Sequence, residues 1–156
     1  MFVATPPTIQ PPAADDAVAG DGWYPGLTVS AFRDAARIST QVTPGRARAA
    51  LIGGMISAAA GLERWRAAHE AAGVSSLAAT SAAQLAGESR ALILWRRAVY
   101  AFAAADLVET HSDISATEAG RERRETRAAS ADDLRRSATV ALRDLQGRSR
   151  NRVAMV

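Results

Sequence analysis

Apolar and polar positions alternate along the chain in a way that separates a proline-rich opening, several helical stretches and two connectors. The densest apolar stretch is Gly87–Thr110, GESRALILWRRAVYAFAAADLVET. At 100° per residue, Leu92, Trp95, Val99, Phe102 and Ala103 share one broad face. Leu94, Ala98, Ala101, Ala105 and Val108 cover the flank beside it, and Ile93, Tyr100 and Ala104 lie nearly opposite. A helix that is apolar most of the way round belongs in the centre of a fold. Burying a side chain the size of Trp95 or Phe102 is worth roughly 1.5–3 kcal/mol, so in an alanine-rich chain this helix must nucleate the core. Asp106 projects onto the same stripe. Buried carboxylates are usually paired, which predicts an arginine partner on a neighbouring helix; the alternative is a catalytic acid.

The other elements follow from their punctuation. Thr28 or Ser30 can cap a short helix to about Ile38, with Val29, Phe32 and Ala36 on one side. Thr43-Pro44 predicts an N-cap followed by proline in the first helical position, and the helix it opens runs to about Ala72, before Gly73. Within it Gly53, Ser57 and Gly61 recur at every fourth position, as do Gly54 and Ala58, a spacing that lets another helix approach closely. Val74–Ala86 reads as a loop, with one helical turn at Ser81–Ala86, and His111–Ala119 as a second connector. The last helix spans about Gly120–Gln146 on a stripe of Leu134, Ala138, Ala141, Leu142 and Leu145; Ser130 with Asp133 resembles a capping box at which it can restart. Gly147 ends it. Alternating β-branched runs are missing. The expected fold is all-α: a small helical bundle of three longer helices plus a short N-terminal helix, with extended N- and C-terminal arms.

Three segments result. Residues 1–22 form a proline-rich extended arm: Pro6-Pro7 and Pro11-Pro12 favour polyproline II, and the only charges are Asp15, Asp16 and Asp21. Residues 23–147 are the helical domain. Its first residues, Trp23 and Tyr24, are the candidate anchor that pins the arm to the body. Residues 148–156 are a basic tail. In extended chain Arg148, Arg150 and Arg152 fall on one side, with Val153, Met155 and Val156 as an apolar end, a pattern suited to an acidic partner surface.

Composition narrows the chemistry. With 156 residues the chain fits one domain. It has no cysteine, which excludes disulfides and thiolate chemistry. The longest charge-free apolar run, Ala49–Leu62, is too short to span a bilayer, and the opening residues lack a signal-peptide pattern, so no membrane association is expected. Net charge is only +3, weak support for nucleic-acid binding. Arg121, Arg123, Arg124 and Arg127 are the candidate DNA-facing residues, but Glu118, Glu122 and Glu125 interleave with them as on a solvated helix face. No phosphate loop, Glu-x-x-His pair or nucleophile-base arrangement is present. His69 stands near a helix C-terminus, and His111, between Glu109 and Asp113, fits a solvated helix end better than a metal site. The expectation is a protein without catalytic, cofactor-binding or metal-ligating residues.

Several stretches taken together resemble the head-completion protein family of contractile-tailed bacteriophages: Thr43-Pro44 with Arg46 and Arg48, Leu62-Glu63 with Trp65-Arg66, Gly87-Glu88-Ser89, Arg97-Ala98-Val99 and Leu145-Gln146-Gly147. The resemblance covers about Trp23–Arg150, rests on order and spacing, and departs at 111–129 and at Gly53-Gly54. It implies a structural virion protein in the head–tail neck, assembled in the host cytoplasm: a connector that forms a ring, usually of twelve, under the portal after DNA packaging. Such a ring retains the genome and offers a docking surface to the tail. The implied partners are the portal, tail-terminator or other neck proteins and further copies of the chain, with nonspecific contact to double-stranded DNA. The rival reading is a small helical DNA-binding protein of terminase or regulatory type.

Overall fold

A computed structural model of the chain describes residues 16–110 and 118–148, and of 118–129 only the course of the helix. The elements in order are β1 (Ala17–Val18), β2 (Leu27–Thr28), α1 (Val29–Ala35), α2 (Pro44–Ala71), a 3-10 turn (Leu77–Thr80), β3 (Gln84–Leu85), β4 (Glu88–Ser89), α3 (Arg90–Thr110) and α4 (Glu118–Leu145). The chain is mostly helical, and α3 lies between the other two long helices.

Both neighbours run antiparallel to α3. At one end Arg90 donates to the Asp144 carbonyl at 3.5 Å, and towards the other Arg135 of α4 grips Glu109. On the α2 side Gly54 lies against the Val99 carbonyl and Ala103; a Cβ on Gly54 would come within 2.5 Å of that oxygen. Alanines dominate these seams. Ala47, Ala50 and Ala58 of α2, Ala91, Ala98, Ala103 and Ala105 of α3, and Ala131, Ala138 and Ala141 of α4 are all buried. Small side chains bring the helix axes close, so dispersion between backbones does much of what large side chains do elsewhere. The large fully buried groups are Trp95, Phe32, Leu51, Leu62, Leu77 and Val99.

The caps are where the sequence places them. Thr28 Oγ1 accepts from Ala31 N, and Thr43 Oγ1 from Arg46 N with Pro44 in the first turn. Gly73 and Gly147 take positive φ, and each lies in a paired closure in which the residue after it bonds back five positions: Val74 N to His69 O and Arg148 N to Arg143 O. Arg33 fastens the segment before α2 by donating to the Val42 and Ser39 carbonyls at 2.8 and 3.0 Å.

Several expectations change. The fold is not purely α: β1 pairs with β2 and β3 with β4, each antiparallel. The second pair is a hairpin with a two-residue turn, Ala86-Gly87, both at positive φ, so α3 starts at Arg90 rather than Gly87. The helical turn expected at Ser81–Ala86 lies instead at Leu77–Thr80, where buried Leu77 closes the α2–α3 connector onto the core. Residues 16–21, part of the expected extended arm 1–22, pack on the body: Val18 is buried, Asp16 accepts from both the N–H and the hydroxyl of Ser30, and Arg48 donates to the Ala17 carbonyl. α4 passes Ser130 without a break, so there is no restart there, and Leu134 is only half-buried. Of the small-residue ladder, Gly54 and Ala58 form the seam with α3, whereas Gly53 and Ser57 face outwards. Leu92 and Phe102 are half-buried, because α3 buries two faces, one against α2 and one against α4, not one broad stripe. Asp106 is exposed; near the helix end its carboxylate keeps its water, and the arginine of the neighbouring helix pairs with Glu109 one turn on.

Candidate functional site

Trp23 and Tyr24 occupy the centre of an aromatic cluster that locks the N-terminal segment to two helices. Asp21 turns the chain there: its Oδ1 accepts the Trp23 and Tyr24 amides at 3.0 and 2.8 Å. Tyr24 then stacks on Trp95 of α3, with centroids 4.2 Å apart and planes 9° from parallel, and Trp23 meets Trp65 of α2 edge-on at 6.0 Å. Trp23 also joins the α2–α3 connector, donating from Nε1 to the Val74 carbonyl and accepting Leu77 N at its own carbonyl. Arg66 covers the cluster. Its guanidinium lies 5.1 Å from the Trp23 and Tyr24 ring centroids and pairs with Asp21 and Glu70. Burial pushes the Tyr24 phenol up to about 12 against the pull of the Arg66 charge. Burial raises the Asp21 carboxyl too, but the Tyr24 and Trp23 amides and Arg66 outweigh it and hold that group below its usual value. Trp23 and Tyr24 stand out in the sequence by rarity; Arg66 enters it only within the Trp65-Arg66 pair and Asp21 only as an acid of the arm.

Two open surfaces flank this frame. The first is an apolar groove of about 860 Å³ between the end of α1, α3 and α4, with Ile38, Ile93, Tyr100, Ala104 and Leu134 along it and Arg37 and Arg97 at its rim. Arg96, also at the rim, is fixed by a bidentate pair with Glu88, both bonds 2.7 Å, which ties the β3–β4 hairpin to α3. The second is a groove of about 820 Å³ between α2 and the end of α4, where Glu63, Arg64, Arg143 and Arg148 surround Phe102 and Leu142. Its floor depends on Gly61: a Cβ there would lie 2.7 Å from Leu142 Cδ1, and the Gly61 carbonyl accepts Gln146 Nε2 at 3.0 Å. α2 also presents Ile52 and Ile56 to solvent, Ile56 at 65% exposure, beside outward-facing Gly53 and Ser57.

Of the residues singled out from sequence, Trp23 and Tyr24 are buried together, and Arg148 stands at the mouth of the second groove. Arg150, Arg152, Val153, Met155 and Val156 lie outside the described residues, as does His111. Arg121, Arg123, Arg124 and Arg127 lie on α4 where side chains are not described. Among the described residues no group of three or more histidine, cysteine or acidic side chains could hold a metal ion, and no helix is long and apolar enough to cross a membrane.

Comparison with known proteins gives the same direction from two sources. The family model described as phage head completion protein (GPL) matches residues 18–156. A curated head completion/stabilization protein of Escherichia phage P2 is 30% identical over 149 residues, covering 95% of this chain and 88% of that protein. No solved structure matches.

Proposed function

The chain belongs to the phage head completion protein family and so serves a structural role in the phage head; from that premise we propose that it is a neck subunit, a ring adaptor that closes under the portal after packaging. In this reading the ring, of about twelve copies, retains the genome and presents the tail with a docking surface. The chain then does its work by binding, not by catalysis.

The observation that carries the reading is the outer face of α2. Ile56 is 65% exposed and Ile52 38%, and Gly53 and Ser57 beside them leave room for a second helix to approach. Large apolar side chains flanked by small ones make a helix-docking face, and the lone chain leaves it uncovered. A neighbouring copy in the ring is the occupant this reading assigns to it. The groove around Arg64, Arg143 and Arg148 is assigned to the portal or an adjacent neck protein, with the tail from Arg148 onward laid across an acidic surface of that partner. Arg121, Arg123, Arg124 and Arg127 are assigned to the channel, where contact with DNA would go through phosphates and weaken steeply with salt, by a slope of about −0.9 per phosphate neutralised.

The test is sedimentation of the lone protein at micromolar concentration, followed by electron microscopy after it is added to portal-bearing heads. A monomer or weak oligomer alone, and a ring of density beneath the portal in the mixture, are expected. Ile56→Glu should keep the helical circular dichroism and lose the ring density. Ring density unaffected by that change would remove the α2 face from the interface, and absence of any neck density with the unaltered protein would overturn the reading.

A further inference from the structure

The apolar groove between α1, α3 and α4 shares no lining residue with the outer face of α2 and has no part in the ring contact assigned above. Its position relative to the start of the described chain is informative. Asp16 caps the beginning of α1, with Oδ1 2.7 Å from Ser30 N and Oδ2 2.6 Å from Ser30 Oγ. The ring of Phe32, on the same helix, packs 5.4 Å from Tyr100, which stands in the groove wall. Burial raises the Tyr100 phenol's pKa, and the nearby Asp16 carboxylate raises it further. Asp16, where the described chain begins, therefore stands close to Tyr100, midway along the α3 wall of the groove.

We propose that residues 1–15 lie along this groove in the same molecule, with Pro11-Pro12 against the Tyr100 ring. Length permits it: from Ile93 to Val108 the α3 wall is about 22 Å long, and fifteen residues of extended chain reach about 46 Å. Chemistry matches as well. The segment MFVATPPTIQPPAAD carries apolar side chains at Met1, Phe2, Val3 and Ile9, two proline pairs, one acid and no basic side chain. The groove offers Ile38, Ile93, Ala104, Val108 and Leu134 with arginines at its rim. Polyproline segments bind with little ordering cost to grooves that present an aromatic ring. A tether of three residues between Pro12 and Asp16 also gives the segment a high effective concentration at its own groove, of millimolar order for a short flexible link. The groove wall is itself held in place, since Arg33 fixes residues 39–42 and Glu88 fixes Arg96.

The absence of cysteine makes the proposal directly testable. In full-length Ala4→Cys protein carrying a nitroxide, amide signals of Ala104, Val108 and Leu134 should be lost relative to the reduced label, while those of Ile52 and Ile56 are retained. A mixture of spin-labelled unenriched chain with unlabelled nitrogen-15 chain should show no loss. Pro11→Gly with Pro12→Gly, changes confined to the segment, should restore the groove signals. Loss of signal nowhere in the groove, or loss only in the mixed sample, would overturn the proposal; the second outcome would give the groove to the arm of another copy. Groove signals that stay broadened after the glycine changes would overturn the contact with Tyr100.

Discussion

Gly54 and Val99 meet backbone to backbone. The nearest atom to the position of a Gly54 Cβ is the Val99 carbonyl oxygen, at 2.5 Å, with Ala103 N and Cβ at 3.0 and 3.1 Å. No flexible side chain stands between the helices to yield, so a methyl group at this point must push α2 off α3.

Gly54→Ala and Gly53→Ala should therefore have opposite signs although they are neighbours in one helix. Alanine gains about 0.8–1 kcal/mol over glycine in a helix interior. At Gly53, which has nothing within 4 Å of a Cβ, that gain should appear as added stability. At Gly54 the clash should outweigh it, for a net loss of about 1–3 kcal/mol. Urea unfolding of the two variants decides the matter; equal effects would mean the seam is looser than it stands. If α2 also forms the ring contact, Gly53→Ala should make the lone chain more stable and ring closure poorer.

Tyr24 should control the alkaline limb of stability. Its hydroxyl is buried without a hydrogen-bond partner among the described residues, and its pKa is raised from 10.0 to about 12. A phenol whose folded pKa exceeds the unfolded one favours folding while neutral, so this contribution is present below about pH 10 and is lost as pH rises towards 12. Tyr24→Phe removes the unsatisfied hydroxyl and keeps the ring stacked on Trp95, so it should unfold at equal or higher temperature at pH 7. It should also flatten the fall in midpoint above pH 10. A large loss at pH 7 would show that the hydroxyl has a partner.

On the acid side the signs reverse. Desolvation opposes ionisation of Asp21, but the Tyr24 and Trp23 amides and Arg66 prevail and its pKa lies below 3.8; pairing with Arg96 and Arg135 lowers Glu88 and Glu109 below 4.5. Carboxyls lowered by folding stabilise above their unfolded pKa, and that stabilisation is lost as pH falls through the folded values. The thermal midpoint should hold down to about pH 4.5 and drop below it, with a shallower drop in Asp21→Asn. These pairs are well exposed, so each contributes little on its own and the drop is their sum.

How much of this was readable in the sequence depends on whether the signal was local. The caps at Thr28 and Thr43, and the stops at Gly73 and Gly147, are local and stand where expected. Ala86-Gly87 is not the Asn-Gly pair that marks a two-residue hairpin, so the turn passed as loop. Arg37 ends α1 in the left-handed conformation that glycine usually supplies, with φ at 51°, and nothing about an arginine announces that. The choice between Gly53 and Gly54 as the packed glycine, and between Asp106 and Glu109 as the paired acid, was set by how two helices roll against α3, which periodicity within one helix does not determine. The aromatic cluster was half readable: Trp23 and Tyr24 stood out by rarity, whereas Arg66 lies 45 residues from its partner Asp21.

Arg37 gives a further prediction from that comparison. Left-handed backbone costs a residue with a Cβ about 1–2 kcal/mol. The paired closure from Arg37 N to Asp34 O and Ile38 N to Arg33 O needs only the backbone. Arg37→Gly should thus keep α1 and raise stability by about 1 kcal/mol, after allowance for glycine's greater freedom when unfolded. A destabilised variant would mean that the arginine side chain holds the groove rim.

The contact proposed with the portal or a neck neighbour involves the tail. α4 closes at Gly147 with its carbonyls satisfied by Gly147 and Arg148 amides, so the helix end requires nothing beyond Arg148. Leu142 and Leu145, the last large core groups of α4, precede it. A chain ending at Arg148 should therefore retain its helical circular dichroism and thermal midpoint. Arg148 stands with Arg64, Arg143 and Glu63 around the groove, and the sequence after it adds Arg150 and Arg152 and no acid. If this tail meets an acidic site on the portal or a neck neighbour, Arg148→Glu with Arg150→Glu and Arg152→Glu should leave folding unchanged and abolish head completion through like-charge repulsion. Truncation after Arg148 should do the same by removing the contact. The measurement is the yield of infectious particles when each variant replaces the unaltered protein, set beside its melting curve. Normal yield from a folded truncated chain would show that the tail takes no part in docking, and would leave the α2 face as the remaining candidate for assembly.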